Sequence, residues 1–240
     1  MLRKIITAAA LVLCGVMLLG VFPAFCAVDE YIDELMDAAE NGNADAQYRL
    51  GLMYYNGETV PKNYAEALKW FRRAAEEQGH RNAQCQIGYM YYEGIGTLQN
   101  KPEAARWYRK AAEQGHAGAQ YNIGVMYYHG ESVKRDKTEA VRWWRKAAEQ
   151  DHAEAQCNLG AMYDNGEGVE KDQTEAARWY RRAAEQGLAD AQYNLGEMYY
   201  NGEGVKQDKS EAAKWYRKAA EQGLADAHTV LVSCTLKATA

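Results

Sequence analysis

The sequence predicts an all-α protein, an α-solenoid of about five antiparallel helix pairs with a half-repeat at each end. Two observations carry this prediction: a motif that returns every 36 residues, and glycines and capping residues that recur at fixed places within it. The composition agrees with it: 48% hydrophobic and 25% charged residues, with only three prolines among 240, suit a folded helical chain with an apolar core.

The repeat is marked by the dipeptide Ala-Gln, and a tryptophan follows each of its glutamines by 23 residues. The second residue of Glu76-Glu77 lengthens the first unit to 37 residues, and we expect this insertion to shift only the following loop. The units are 44–80, 81–116, 117–152, 153–188 and 189–224 (units 1 to 5 below), with half-units at 28–43 and 225–240. The glutamines are Gln47, Gln84, Gln120, Gln156 and Gln192, and the tryptophans are Trp70, Trp107, Trp143, Trp179 and Trp215.

Glycines and capping residues place the helix ends inside each unit. The first helix ends at a glycine such as Gly57, and the second begins after an Asn or Asp that a glutamate follows three residues later, as in Asn63 and Glu66. Such a cap accepts a hydrogen bond from a backbone N–H of the first turn, and the glutamate is expected to reach back to the cap. Asp151 replaces the usual glycine after one second helix, because Asp tolerates the left-handed conformation.

Core and surface positions follow from helical periodicity. A glycine recurs in the middle of every first helix, although glycine destabilises a helix relative to alanine. We therefore expect a large neighbour to pack against it, namely the aromatic pair of the second helix, such as Trp143-Trp144. Counted from the glutamine of Ala-Gln at 100° per residue, the positions one before, three after and seven after face the core. The positions two, five and nine after it face the opposite side.

The recurring run Ala-x-Ala-Gln-x-x-Leu-Gly-x-Met-Tyr, followed by Glu-Ala-x-x-Trp-Tyr-Arg-Lys-Ala-Ala-Glu-Gln-Gly, resembles the Sel-1-like repeat, a relative of the tetratricopeptide repeat. The resemblance extends over residues 28 to 236 and implies a right-handed superhelix that acts as an adaptor for other proteins. Some exported relatives staple each helix pair with paired cysteines. Here Cys85 and Cys157 lie two units apart, roughly 20 Å, so both should be free and partly buried.

In the resembling repeats the first helices line the concave surface, which makes their polar side the candidate binding site for a protein or peptide. Asparagine can both donate to and accept from a peptide backbone, and tyrosine is favoured at binding surfaces. The alternative is that these are ordinary solvated positions. The candidate partner-binding residues are Arg49, Gln86, Asn122, Asn158, Asn194, Tyr89, Tyr92, Tyr128 and Tyr200.

The first residues have the pattern of an export signal. Arg3 and Lys4 precede an apolar stretch, and small residues precede Asp29, which predicts a signal peptide over residues 1–27 and a periplasmic or secreted mature protein. An uncleaved anchor is the alternative, because an apolar run of about 18 residues is at the lower limit for a span. No later stretch is apolar for long enough, so we expect no stable membrane insertion after cleavage.

Other function classes are disfavoured. The net charge of −5 does not suit nucleic-acid binding, and basic doublets such as Arg72-Arg73 have glutamates nearby that should compensate them. Some cysteine-rich relatives are described as β-lactam hydrolases or penicillin binders, but no Ser-x-x-Lys, Ser-Asp-Asn or Lys-Thr-Gly is present. His80, His116 and His152 share one loop position with Leu188, which suggests packing and not catalysis. We expect no enzyme activity, cofactor or metal.

Overall fold

Eleven α-helices follow one another along residues 22–227, the part of the chain that the computed structural model describes. The first, α1, is the second helix of the N-terminal half-unit, and a last helix begins at 225. The predicted signal residues before Phe22 and the half-unit after residue 227 lie outside this part. The bounds are α1 Phe22–Glu40, α2 Ala44–Asn56, α3 Tyr64–Gln78, α4 Arg81–Glu93, α5 Lys101–Glu113, α6 Ala117–His129, α7 Lys137–Ala148, α8 Ala153–Asn165, α9 Gln173–Glu185, α10 Ala189–Asn201 and α11 Lys209–Glu221.

Each helix packs mainly against the helices before and after it in the chain, first within a unit and then across to the next. Residues 22–227 contain no strand. Contacts restricted to neighbouring elements are the defining property of a solenoid, since each repeat buries its apolar face only against the adjacent ones. The predicted all-α solenoid of five helix pairs is therefore confirmed.

The caps of the second helices are confirmed, but the predicted reciprocal bond is wrong. The Asn63 side chain accepts from the Glu66 backbone N–H at 3.1 Å, and the equivalent bond occurs in all five units. Glu66 itself pairs forward with Lys69. The backbone N–H of each cap donates to a tyrosine carbonyl of the first helix, as Asn63 does to Tyr54, so it needs no glutamate.

The first helices have their own caps, which the sequence analysis missed. Nδ1 of His80 and of His116 accepts from a backbone N–H at 3.1 Å, and that of His152 does so at 3.4 Å. Asn43 caps α2 in the same way, whereas Leu188 makes no side-chain cap bond. The interpretation of these histidines as packing residues was therefore incomplete, because each also satisfies a helix end that would otherwise lack a partner.

The glycines of the first helices admit an aromatic ring, as predicted, but the ring belongs to the second residue of each pair. A Cβ built on Gly124 would lie 2.6 Å from the Trp144 ring, and the other four glycines show 2.5 to 2.8 Å. The first residue of the pair packs towards the preceding unit: Trp107 joins the core that contains Leu50 and Ile87. The second aromatic residue of each pair thus packs within its own unit, and the first packs between units.

The glutamine of each Ala-Gln is buried and links consecutive elements. Gln156 donates to the Ala148 carbonyl at 3.0 Å and accepts from Gln186 at 2.8 Å, and Gln120 and Gln192 repeat both bonds. In unit 1 the extra residue lengthens α3 to 15 residues and removes the matching donor, leaving Oε1 of Gln47 buried without a partner. The expectation that the insertion shifts only a loop is wrong.

Candidate functional site

Three rows of side chains run along the first helices, with one residue of each row per unit. The residues two positions after the glutamine form the amide row, those five after it the middle row, and those eight after it the tyrosine row. The amide row is Arg49, Gln86, Asn122, Asn158 and Asn194; the middle row is Leu52, Tyr89, Val125, Ala161 and Glu197; the tyrosine row is Tyr55, Tyr92, Tyr128, Asp164 and Tyr200. The inward position seven after the glutamine is only partly buried in units 2 to 5, where the preceding methionine, such as Met90, is in the core instead.

The amide row is less exposed than a fully solvated stripe. Arg49 is exposed, whereas Gln86 and the three asparagines are half-buried. Burial raises the pKa of the Tyr121 hydroxyl, and a hydrogen bond with Asn158 opposes that rise. Burial likewise raises the pKa of the Cys157 thiol to about 12, opposed by a hydrogen bond with Asn194. Asn158 and Asn194 thus interact with the preceding unit, and each, with up to four hydrogen-bond positions, retains capacity for a ligand.

Two members of the tyrosine row are used to join units. The Tyr92 hydroxyl donates to Glu131 at 2.8 Å, and Lys101 lies over the Tyr92 ring and reaches the same carboxylate at 2.9 Å. The next boundary repeats this with Tyr128, Lys137 and Glu167, where the ion pair measures 2.7 Å. The hydrogen bond with Lys101 holds the pKa of Glu131 below its usual range, and Lys137 does the same for Glu167. Tyr92 and Tyr128 therefore contribute to the scaffold as well as to the surface.

The boundary between units 1 and 2 is aromatic instead. Tyr55 and Tyr64 pack edge to face with ring centres 5.2 Å apart. Burial raises the pKa of Tyr55, and the neighbouring Tyr89 adds to the rise. Tyr89 is 39% exposed, one of three large hydrophobic side chains that stand clear of the core among the described residues. Ile95 occupies the turn position where later units carry a glutamate.

The basic doublets of the second helices are satisfied mainly by aromatic rings, and not by the predicted glutamates. The first residue donates to a tyrosine hydroxyl of the next unit, as Arg145 does to Tyr163 at 2.6 Å, and the pattern recurs for Arg72, Arg109 and Arg181. The second lies over a tryptophan, as Lys146 does over Trp143 at 4.4 Å. Glutamate partners occur only for Arg72 and Arg73 within residues 22–227.

Residues 22–227 do not meet the requirements of a three-ligand metal site or of a reactive thiol. No group of three or more His, Cys, Asp or Glu residues in that part could hold a metal ion. Cys85 and Cys157 are free, as predicted, and burial raises the pKa of each thiol to about 12, which suppresses the nucleophilic thiolate. None of the helices found between residues 22 and 227 is long and apolar enough to cross a bilayer.

Comparison with known proteins gives the same architecture. A crystal structure of a protective antigen from uropathogenic Escherichia coli strains, displaying an SLR fold, matches 83% of this chain with a TM-score of 0.79 and 42% identity. A Sel1 repeat protein from Oxalobacter formigenes matches 88% of the chain and 86% of its own, with a TM-score of 0.78 and 36% identity. A curated E. coli protein, the secretory immunoglobulin A-binding protein EsiB, is 42% identical over 67 residues, 26% of this chain.

The matched part is a different share of the length of each relative. The chain spans 42% of the E. coli antigen structure and 13% of the curated E. coli protein. The profile of the Sel1 repeat matches residues 44–78, 81–116, 117–152, 153–188 and 189–224, and each match begins at the first residue of one of the five units. The chain belongs to the Sel1 repeat family, whose repeats generally build scaffolds for protein–protein interaction.

Proposed function

We propose that this protein is an exported scaffold that binds a protein or an extended peptide through the concave face formed by its first helices. The observation that carries the proposal is the amide row, which presents one hydrogen-bonding side chain per unit from Arg49 to Asn194. A regular series of amides suits the regular series of N–H and C=O groups of an extended chain. The neighbouring tyrosines supply large contact area at low entropic cost.

Protein binding is favoured over catalysis by what the rows contain. At the two central unit boundaries the titratable side chains that reach the rows pair with one another, as Lys101 does with Glu131, and burial keeps the Cys85 and Cys157 thiols neutral. One E. coli relative is named for binding secretory immunoglobulin A, which is a precedent for a protein ligand on these repeats. The short matched segment does not carry that particular ligand over to this chain.

Export is the second part of the proposal and rests on the pattern of residues 1–27. Expression of the full chain in a bacterial host should release a mature form whose N-terminus, read by mass spectrometry, lies near Ala27 or Val28. Full-length protein retained in the membrane fraction would contradict export and support the anchor alternative.

The binding face is tested by removing the amides. The mature protein is first used to isolate a stoichiometric partner from periplasmic or secreted extract, and the affinity of that partner is then measured. The variant N122A/N158A/N194A should bind more than tenfold more weakly. Its free energy of unfolding should fall by about 2 kcal/mol or less, because two of the three asparagines have a polar neighbour in the preceding unit and each such interaction contributes about 1 kcal/mol or less.

A matched control lies on the second helices. Glu113, Glu149 and Glu185 are exposed, occupy equivalent positions in three units and form no salt bridge within the described residues. The variant E113Q/E149Q/E185Q should bind as the parent does. Equal affinity of the parent and the triple-asparagine variant would show that the amides are solvated surface and that the partner binds elsewhere.

A further inference from the structure

The four boundaries between complete units differ in one cluster. Two of its residues belong to the unit before the boundary: the tyrosine-row residue and the first residue of the second helix. The other two belong to the unit after the boundary: the middle-row residue and a residue of the turn between its two helices. At the two central boundaries this cluster is closed, because a lysine of the chain neutralises the turn glutamate: Lys101 with Glu131 at 2.9 Å and Lys137 with Glu167 at 2.7 Å. An ammonium group therefore fits this part of the repeat.

The boundary between units 4 and 5 lacks that cation. Asp164 replaces the tyrosine, Gln173 replaces the lysine, and Glu197 stands in the middle row where the preceding unit has alanine. Gln173 donates to Asp164 at 3.2 Å, and Gly204 packs directly against the Gln173 backbone, which brings the turn with Glu203 to the start of α9. No salt bridge joins these three carboxylates to a basic side chain within residues 22–227.

A tyrosine hydroxyl without a hydrogen-bond partner among the described residues lies in the same unit as Asp164. Tyr180 is 4% exposed, its ring is wedged against Gly160, and its hydroxyl makes no hydrogen bond to any described residue. Burial raises the pKa of Tyr180, and the negative charges of Asp164 and Glu197 add to that rise. Asp164, Glu197, Glu203 and the Tyr180 hydroxyl are called the acidic seat below.

We propose that the acidic seat binds a lysine or arginine side chain of the partner, so that the concave face selects basic segments. The partner's cation would take the place that Lys137 fills one unit earlier, with the free Tyr180 hydroxyl as an additional acceptor. A metal ion is a poorer occupant, because no three carboxylates of the described chain converge to a metal-binding distance. A long, flexible cationic side chain tolerates that spacing, since it needs only one or two close oxygens.

The inference rests on the proposed function. The boundary between units 3 and 4 shows which residues would close the acidic seat, and these residues define the variant that tests the inference. D164Y/Q173K/E197A gives the boundary between units 4 and 5 the residues found one unit earlier, Tyr128, Lys137 and Ala161. The introduced lysine should pair with Glu203 as Lys137 does with Glu167, so the fold is kept while the seat is closed. Circular dichroism and urea denaturation establish that the variant is folded.

The probes are dodecapeptides selected on the parent protein from a random phage-displayed library, each synthesised with its basic residue and with norleucine in its place. For the parent, norleucine should weaken binding at least tenfold, whereas for D164Y/Q173K/E197A the two peptides should differ less than twofold. E113Q/E149Q/E185Q makes the same change in net charge away from the concave face, and should keep the tenfold difference.

Selected peptides without a shared basic residue would overturn the inference, as would a norleucine penalty that persists in D164Y/Q173K/E197A. Loss of the penalty in the E113Q/E149Q/E185Q control would also overturn it, because bulk charge would then explain the preference. If N122A/N158A/N194A still loses the selected peptides, the concave-face proposal survives this failure. Equal binding by that variant, or no selected peptide at all, would instead remove both proposals.

Discussion

Units 1 and 2 and units 4 and 5 have the same backbone but opposite surfaces. At the first boundary Tyr55, Tyr64 and Tyr89 form an aromatic surface, whereas at the last boundary the positions of Tyr55 and Tyr89 are occupied by the carboxylates Asp164 and Glu197. Underneath, both regions use the same glycine–aromatic contact and the same caps on the second helices. The comparison shows that the repeat fixes its inward positions and leaves the three rows free to vary, so a single fold can present different chemistry along one face.

The largest expected effect tests whether the two regions share one scaffold. A Cβ on Gly88 would lie 2.7 Å from the Tyr108 ring, and one on Gly160 would lie 2.8 Å from the Tyr180 ring. Gly88→Leu and Gly160→Leu should each reduce the free energy of unfolding by about 3 kcal/mol, because the second helix must move away. Urea denaturation followed by circular dichroism measures both. A difference of more than about 1 kcal/mol between them would show that the scaffold is not equivalent at the two ends.

A smaller difference in stability between the two regions is expected from their buried glutamines. Gln156 makes buried bonds to the Ala148 carbonyl and to Gln186, whereas Gln47 donates to Ala39 and has an unpaired Oε1. Replacement by methionine, which has a similar shape, should lower the free energy of unfolding by about 2 kcal/mol at Gln156 and by about 1 kcal/mol or less at Gln47. The loss at Gln47 is smaller because fewer buried polar groups lose their hydrogen-bond partner. Equal losses in urea denaturation would mean that the insertion in unit 1 leaves this network intact.

The repeat period was sufficient to predict the fold, because it assigns each residue a place on its helix and five copies average out local exceptions. The Asn and Asp caps of the second helices and the free cysteines followed from local sequence and repeat spacing. Contacts between helices were not predictable in the same way. Gln156 meets Gln186 thirty residues later, and Tyr92 meets Glu131 thirty-nine residues later, at distances set by how units stack. For the same reason the sequence did not indicate that part of the tyrosine row joins units.

The histidine caps are expected to give the smallest change in stability. They also distinguish units 3 and 4, which have a histidine cap, from unit 5, which has none. At the start of α6, His116 must be neutral for Nδ1 to accept the backbone N–H of Ala119. Burial lowers the pKa of His116 from 6.5, and the positive charges of Arg81 and His152 lower it further. At the start of α8, burial also lowers the pKa of His152, but Glu154 opposes the shift. At the equivalent position of unit 5, Leu188 neither caps its helix nor titrates.

The sign of the pH effect follows from the lowered pKa of His116. Folding favours its neutral ring, so its contribution to stability is complete above the unfolded value of 6.5 and is lost as the pH falls towards the folded value. Between pH 7.5 and 5.0 the parent should lose about 1 kcal/mol more stability than His116→Asn, because asparagine caps α2 without titrating. Leu188→Asn should add a similar amount at both pH values, since the new cap carries no proton. Urea midpoints of the three proteins at both pH values measure this difference, and parallel losses in parent and His116→Asn would show that the acid sensitivity arises elsewhere.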